Sequence, residues 1–257
     1  MSNIPGTPIW YELITDDPDA AEAFYGKVLG WSFQRFAGNF EHDYRIASAN
    51  GTGVGGVMQR PEGMPMPPSW LFYVGVEDVD AMAEKVASLG GSVHMPGTDI
   101  PEVGRFAFVA DPQGNPFYLM RGASDRASEA FLPTETARPG HAVWNELRTP
   151  DPEAALGFYG ELFGWSQQGA MPMGDRGDYR FLGAGSTMIG ALMPADPDGS
   201  SGWRFYFLVD DVDAAVDRLN DAGGTVLFGP AEVPGGLHTV IAEDTGRARF
   251  GFVGRKL

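Results

Sequence analysis

The side chains of this sequence best placed to do chemistry are two carboxylates that recur in one setting. Glu12 lies in Ile9-Trp10-Tyr11-Glu12-Leu13, and Glu146 lies in Val143-Trp144-Asn145-Glu146-Leu147, 134 positions on. Each follows a tryptophan by two residues, so on a strand the indole and the carboxylate share a face. A carboxylate desolvated among Trp, Phe and Met side chains favours its protonated form, which suits a general acid or base. The competing role is half of an ion pair, with Arg45, Arg148, Arg180 or Arg204 as partner.

Other nucleophiles and bases are scarce. There is no cysteine, which excludes disulfides, thiolate metal sites and a Cys nucleophile. No Ser-His-Asp order with an elbow motif is present. Of the four histidines, His42 and His94 fall in or beside connections and His141 opens the second half. His238 falls on a predicted strand where the first half has Phe106. Facing a cavity it would serve as an acid–base near neutral pH, and with Glu146 it would make a single acid–base or weak metal site. Gly51-Thr52-Gly53-Val54-Gly55-Gly56 and Gly183-Ala184-Gly185 read as hairpin turns, since no Lys-Ser/Thr and no helix follows them.

The surroundings of the two glutamates are aromatic and thioether-rich. Trp10, Trp70, Tyr44 and Tyr73 have counterparts in Trp144, Trp203, Tyr179 and Tyr206, and core packing accounts for most of them. Met58, Met64, Met66, Met171, Met173 and Met193 cluster in the same loops and strands, where thioethers adapt to irregular apolar ligands or simply fill gaps. Trp10, Trp144, Tyr44, Tyr179, Met58, Met193 and Arg204 are the expected ligand-contacting residues.

The elements that position these residues repeat four times. The pattern predicts a strand over Ile9 to Thr15, then a helix capped by Asp16 or Asp17, opened by Pro18 and closed by Gly30. Strands follow at Trp31 to Phe36, Tyr44 to Ala49 and Val54 to Gln59, the last two joined by Asn50-Gly51. After a proline-rich connector at 60–68, the order restarts with a strand at Trp70 to Val76. Asp78 caps a helix that Gly90-Gly91 ends, and strands follow at 92–95, 103–110 and 116–120, with a turn at Asp111-Pro112-Gln113-Gly114. The second half reruns this order, Trp203-Arg204-Phe205-Tyr206 matching Trp70-Leu71-Phe72-Tyr73 and Gly246 matching Gly114. The expected organisation is a domain over 1–122, a polar linker over 123–139 on which Phe131-Leu132 is free to dock, and a domain over 140–257.

Composition narrows the function classes. The net charge of −16, from 34 acidic and 18 basic residues, opposes binding to nucleic acid or an anionic membrane. A hydrophobic content of 43% supports packed cores. No signal peptide is visible and no apolar run approaches the roughly 20 residues of a membrane helix, so a soluble cytoplasmic protein is expected.

The run Asp-Pro, Phe-Tyr, Leu/Phe-Gly-Trp after each half's first strand, with Asp111-Pro112-Gln113-Gly114-Asn115-Pro116-Phe117 near the end of the first, resembles the vicinal oxygen chelate superfamily. That group includes glyoxalase I, extradiol dioxygenases and bleomycin-resistance proteins. The resemblance implies an α+β fold in which four βαβββ modules form two glyoxalase-like domains with curved, half-open barrel-like sheets and strand-lined cavities. It also implies where metal ligands would stand. The first-strand positions fall on Trp10, Leu71, Trp144 and Arg204. The last-strand positions fall on Val57-Met58, Tyr118, Leu192-Met193 and Phe250. None supplies imidazole or carboxylate, so neither metal nor cofactor is expected. The function that follows is a metal-free protein binding a small hydrophobic or aromatic molecule. The alternatives are a lyase, isomerase or hydroxylase-type enzyme using Glu12 or Glu146 as acid–base, and a non-catalytic interaction or stress-related protein. Monomer and homodimer are both compatible with four modules in one chain.

Overall fold

The computed structural model describes residues 3–38 and 42–257. The first module is β1 (Pro8–Thr15), α1 (Pro18–Leu29), β2 (Ser32–Arg35), β3 (Tyr44–Ala49) and β4 (Thr52–Gln59). The cap of α1 is Asp17, whose side chain accepts the Ala20 N–H at 2.9 Å, and the helix ends at Gly30 with φ 72°. The second module is β5 (Ser69–Gly75), α2 (Val79–Ser88), β6 (Ser92–Ile100), β7 (Gly104–Ala110) and β8 (Pro116–Gly122). The third is β9 (Ala142–Thr149), α3 (Pro152–Phe163), β10 (Trp165–Pro172), β11 (Asp178–Ala184) and β12 (Thr187–Pro194). The fourth is β13 (Gly202–Asp211), α4 (Val212–Asp221), β14 (Thr225–Val233), β15 (Leu237–Glu243) and β16 (Arg249–Arg255).

These strands make two open eight-stranded mixed sheets, in the orders β2-β3-β4-β1-β5-β8-β7-β6 and β10-β11-β12-β9-β13-β16-β15-β14. Within each module the first and last strands run parallel. Glu12 thereby stands opposite Gly56, Glu146 opposite Ala191, Tyr73 opposite Tyr118 and Tyr206 opposite Gly251. The edge strand β6 runs on to Ile100, past the 92–95 span that Pro96 suggests. Register shifts at Val93/Met95 and Met95/Thr98 absorb the proline, which an edge strand tolerates.

Packing groups the chain into two compact units, and each draws on both halves of the sequence. One comprises Trp10–Trp70, Glu129–Val143 and Arg204–Leu257, which are the first and fourth modules. The other comprises Met1–Ile9, Leu71–Ser128 and Trp144–Trp203, the second and third. In the first unit, buried Tyr25 of α1 donates its hydroxyl to Asp244 at 2.9 Å and accepts the Trp70 indole N–H at 2.8 Å. Phe24 and Phe250 meet the Tyr25 ring edge-on, Trp31 stacks on it, and Phe207 in turn meets Trp31 edge-on. The second unit repeats the arrangement: Tyr159 donates to Asp111 at 3.1 Å and accepts from Trp203 at 3.1 Å. Asp111 also accepts the Gln113 and Asn115 N–H groups, each at 2.9 Å, which builds its turn.

The tryptophan after each odd-numbered helix makes a second cross-half bond. Trp31 donates to the Gly140 carbonyl at 2.8 Å, and Trp165 to the Gly6 carbonyl at 2.6 Å, fixing the chain where it enters β9 and β1. The 123–139 connector is not loose. Ala130 and Phe131 are buried, and Phe131 bridges Ala142.

The turn between β15 and β16 corrects one sequence match. The Asp244 N–H bonds the Ala248 carbonyl as Asp111 bonds Asn115, so the residue equivalent to Gly114 (φ 85°) is Arg247 (φ 70°) and not Gly246. Gly246 has an ordinary φ, and the motif reading fails there because a non-glycine holds the left-handed position.

Burial raises the Tyr25 phenol well above its ordinary value, with the Asp244 charge adding to it, and burial likewise raises the Asp244 carboxyl. Tyr25→Phe strands a buried indole N–H and removes a donor from Asp244, for an expected loss of about 1–3 kcal/mol in urea unfolding. Because the folded Asp244 is the weaker acid, its contribution to stability is full at low pH and is lost as pH rises through its raised value. Wild type is therefore expected to lose stability relative to Asp244→Asn between acid and neutral pH, and parallel pH profiles would contradict this.

Candidate functional site

On β1, Tyr11 turns into the helix-side core against Phe205 and Phe207, and strand alternation sends Trp10, Glu12 and Ile14 to the opposite face. There the half-buried Trp10 donates its indole N–H to the Tyr44 hydroxyl at 3.0 Å. That hydroxyl also engages the buried Glu12 carboxylate. Burial first, and the Glu12 charge second, push the Tyr44 phenol well above its ordinary value, while the bond from Trp10 works the other way. Gly56 makes this geometry possible, since a Cβ at that position would overlap the Tyr44 hydroxyl. Met58, opposite both Ile14 and Tyr44, completes the patch.

The third module builds the same start and a different end. Trp144 donates to the Tyr179 hydroxyl at 2.7 Å. Glu146 accepts from the Arg148 guanidinium at 2.8 Å, and Arg148 reaches Asp196 at 3.0 Å. Both members of the Glu146–Arg148 pair are buried. Arg148 stands where the first module has Ile14, and Met193 lies opposite it. The other anticipated partners are engaged elsewhere: Arg45 clamps α1 to β3 through Asp19, Glu22 and Asp43, and Arg180 holds Glu153. Arg204 is buried on β13, on the strand face shared with Tyr206.

His238 falls elsewhere. Register places it opposite Glu232 and Gly254, and Thr239 opposite Val253, so its first-half counterpart is Arg105 rather than Phe106. It shares a strand face with Val240 and Ala242, both fully buried, and its Nδ1 has no hydrogen-bond partner among the described residues. The last-strand position of the fourth module shifts too. Gly251, not Phe250, stands opposite Tyr206, and Phe250 packs into the helix-side core on Phe24 and Tyr25. In the second module Tyr118 stacks on Tyr73 at 4.2 Å between ring centres.

By this register the expected ligand positions for a metal carry Trp10, Gly56, Leu71 and Tyr118 in the first half and Trp144, Ala191, Arg204 and Gly251 in the second, with Met58 and Met193 two residues beyond Gly56 and Ala191. Indole, alkyl, phenol, thioether and guanidinium groups are not the imidazole and carboxylate donors that hold Fe(II), Ni(II), Zn(II) or Mg(II). Among the described residues no group of three His, Asp or Glu side chains converges to hold an ion. The residues present do not fit the metal that the resemblance implies.

The model of the Glyoxalase/Bleomycin resistance protein/Dioxygenase superfamily matches residues 8–119 and 138–252. The chain belongs to this superfamily. It is 37% identical over 246 residues to CFP32 of Mycobacterium tuberculosis, named a glyoxylase, covering 94% of this chain and 92% of that protein. It is 29% identical over 259 residues to the anthracycline biosynthesis protein DnrV of Streptomyces peucetius, at 94% and 91% coverage. Among solved structures, the Mn(II)-bound glyoxalase from Novosphingobium aromaticivorans aligns over 100% of this chain and 84% of its own, with TM-score 0.69 and 18% identity. The 2,3-dioxygenase LapB from Pseudomonas sp. KL28 aligns over 100% and 94%, with TM-score 0.69 and 15% identity. Both likenesses concern the fold. No helix among the described residues is long and apolar enough to cross a membrane.

Sequence reading placed Gly56 in a glycine-rich hairpin turn, whereas it lies within β4, and it did not single out Ala191 or Ile14. The signal was present: Ile14 and Arg148 break a repeat that is otherwise close, and one extra residue before Tyr179 hides the match of Gly56 to Ala191. Arg148→Met, which takes the buried counter-charge from Glu146, is expected to cost about 3 kcal/mol or more in urea unfolding. Adding Glu146→Gln should recover most of that loss, and additive effects of the two changes would contradict the pairing.

Proposed function

We propose that the protein binds a small planar aromatic molecule on the tryptophan floor of its sheets, without a metal ion. The observation that carries this reading is Trp10: it stands at the first-strand ligand position, half-exposed, with its indole plane fixed by the bond to Tyr44. A pre-oriented indole binds a flat ring without spending side-chain freedom on doing so. The name of the Streptomyces relative supports the same ligand class, since anthracyclines are fused aromatic ring systems. The donor set at the ligand positions supports independence from metal.

A second reading is favoured by one feature, the buried Glu12 carboxylate in contact with a phenol whose proton is held tightly. In it, Glu12 acts as acid or base in lyase or isomerase chemistry. Glu12→Gln would then remove turnover while ligand binding persists; unchanged turnover would sink this reading.

Titration of the protein's tryptophan fluorescence with 2,6-dihydroxyanthraquinone tests the main proposal. Saturable quenching with Kd in the range of about 1–100 μM is expected. Elemental analysis of protein purified without chelator should find no stoichiometric divalent metal. Quenching that never saturates, or one metal per chain, would overturn the reading.

A further inference from the structure

We propose that His141 is an acid-released latch: a proton taken up by its ring opens the neck of the connector loop and frees Glu129 to Leu132 from the unit in which they pack.

The loop from Glu129 to Ala142 closes on itself. The Ala142 N–H donates to the Ala130 carbonyl at 3.0 Å, and the Leu132 N–H donates to the Ala142 carbonyl at 2.9 Å. A third bond across the neck runs from His141 Nδ1 to the Glu129 carbonyl at 2.6 Å. The neck is anchored in turn. Gly140 donates to the Leu208 carbonyl of β13 at 2.8 Å, Leu208 donates back to the His141 carbonyl at 2.9 Å, and Trp31 holds the Gly140 carbonyl. Ala130 is fully buried there and Phe131 nearly so.

A carbonyl only accepts, so the His141 ring carries its hydrogen on Nδ1 and leaves Nε2 bare. An added proton must therefore go to Nε2, on a residue that is 1% exposed. A charge placed there is costly unless water reaches it. Burial is the main influence that holds the imidazole below its ordinary value, and the Arg138 charge adds to it, while the Glu129 carbonyl and carboxylate work the other way. Arg138 and Glu129, both on the loop, are the charges that act on the ring, and they pair with each other at 3.1 Å. β13 meets the latch through its main chain at Leu208. The closed neck thus favours the neutral ring. Its stability is full above the ordinary histidine value of 6.5 and is lost as pH falls from there through the lowered value.

Hydrogen exchange of the full chain, corrected for the intrinsic pH dependence of the exchange reaction, tests this at the Leu132, Gly140 and Ala142 amides. Their protection is expected to fall about fivefold or more between about pH 7.5 and about pH 5. His141→Gln keeps a donor for the Glu129 carbonyl without a titrating ring, and its protection should stay level over the same range. Arg138→Gln takes a repelling charge away from the protonated ring and should shrink the fall. Level protection in wild type, or a fall of the same size in His141→Gln, would overturn the inference. If His141→Gln does not fold, an undiminished fall in Arg138→Gln would overturn it instead.

Discussion

A buried hydroxyl that must be shared sets the architecture of this protein. Tyr25 lies fully inside an aromatic core, and its oxygen is satisfied only because Trp70 donates to it and Asp244 accepts from it. A phenol without those partners would be costly to bury, and so would the carboxylate. The pairing has a definite address: the Phe-Tyr of one half meets the Asp-initiated turn of the other. Tyr159 and Asp111 repeat it in the second unit. The motifs that recur through the sequence therefore bind one another, and this is why the compact units take the first module with the fourth and the second with the third.

With helix-side faces occupied in this way, the opposite sheet faces are left to differ. The same strand positions that could carry hard metal donors carry indole, phenol and thioether groups here, and each neighbouring glutamate is drawn into its own hydrogen-bond or ion-pair network. The change from Gly56 to Ala191 is one methyl, yet it sits beneath the spot where Tyr44 meets Glu12. Small residues on a strand govern what a larger side chain from the next strand can reach. Divergence of twin sites can begin there, without touching the residues that look functional.

The helices, their caps and the module order were readable from the sequence because the signals are local. Asp17, Pro18 and Gly30 act within a few residues of one another. Strand extents were less legible where an edge strand absorbs a proline in a bulge, as β6 does at Pro96. Register was least legible. A single-residue slip moved Phe250 from the sheet face to the core, and exchanged Arg105 for Phe106 as the counterpart of His238. Because side chains alternate at every step, a strand position known to within one residue leaves its facing undecided. The cross-half packing was invisible for another reason: nothing in a linear repeat says which copy answers which.

The crossed bonds bear on what either half could do alone. Cut within the 123–139 connector, the first half would keep Tyr25 and Trp70 but lose Asp244, and would keep Asp111 but lose Tyr159. Its own Tyr25 and Asp111 belong to different units. Two copies of that half, however, could answer each other in the way the two halves do now, Phe-Tyr to turn and tryptophan to entry glycine. The tandem chain is in this sense a self-complementary pair written end to end, and the connector sets the local concentration of two partners whose buried hydroxyls are satisfied by each other.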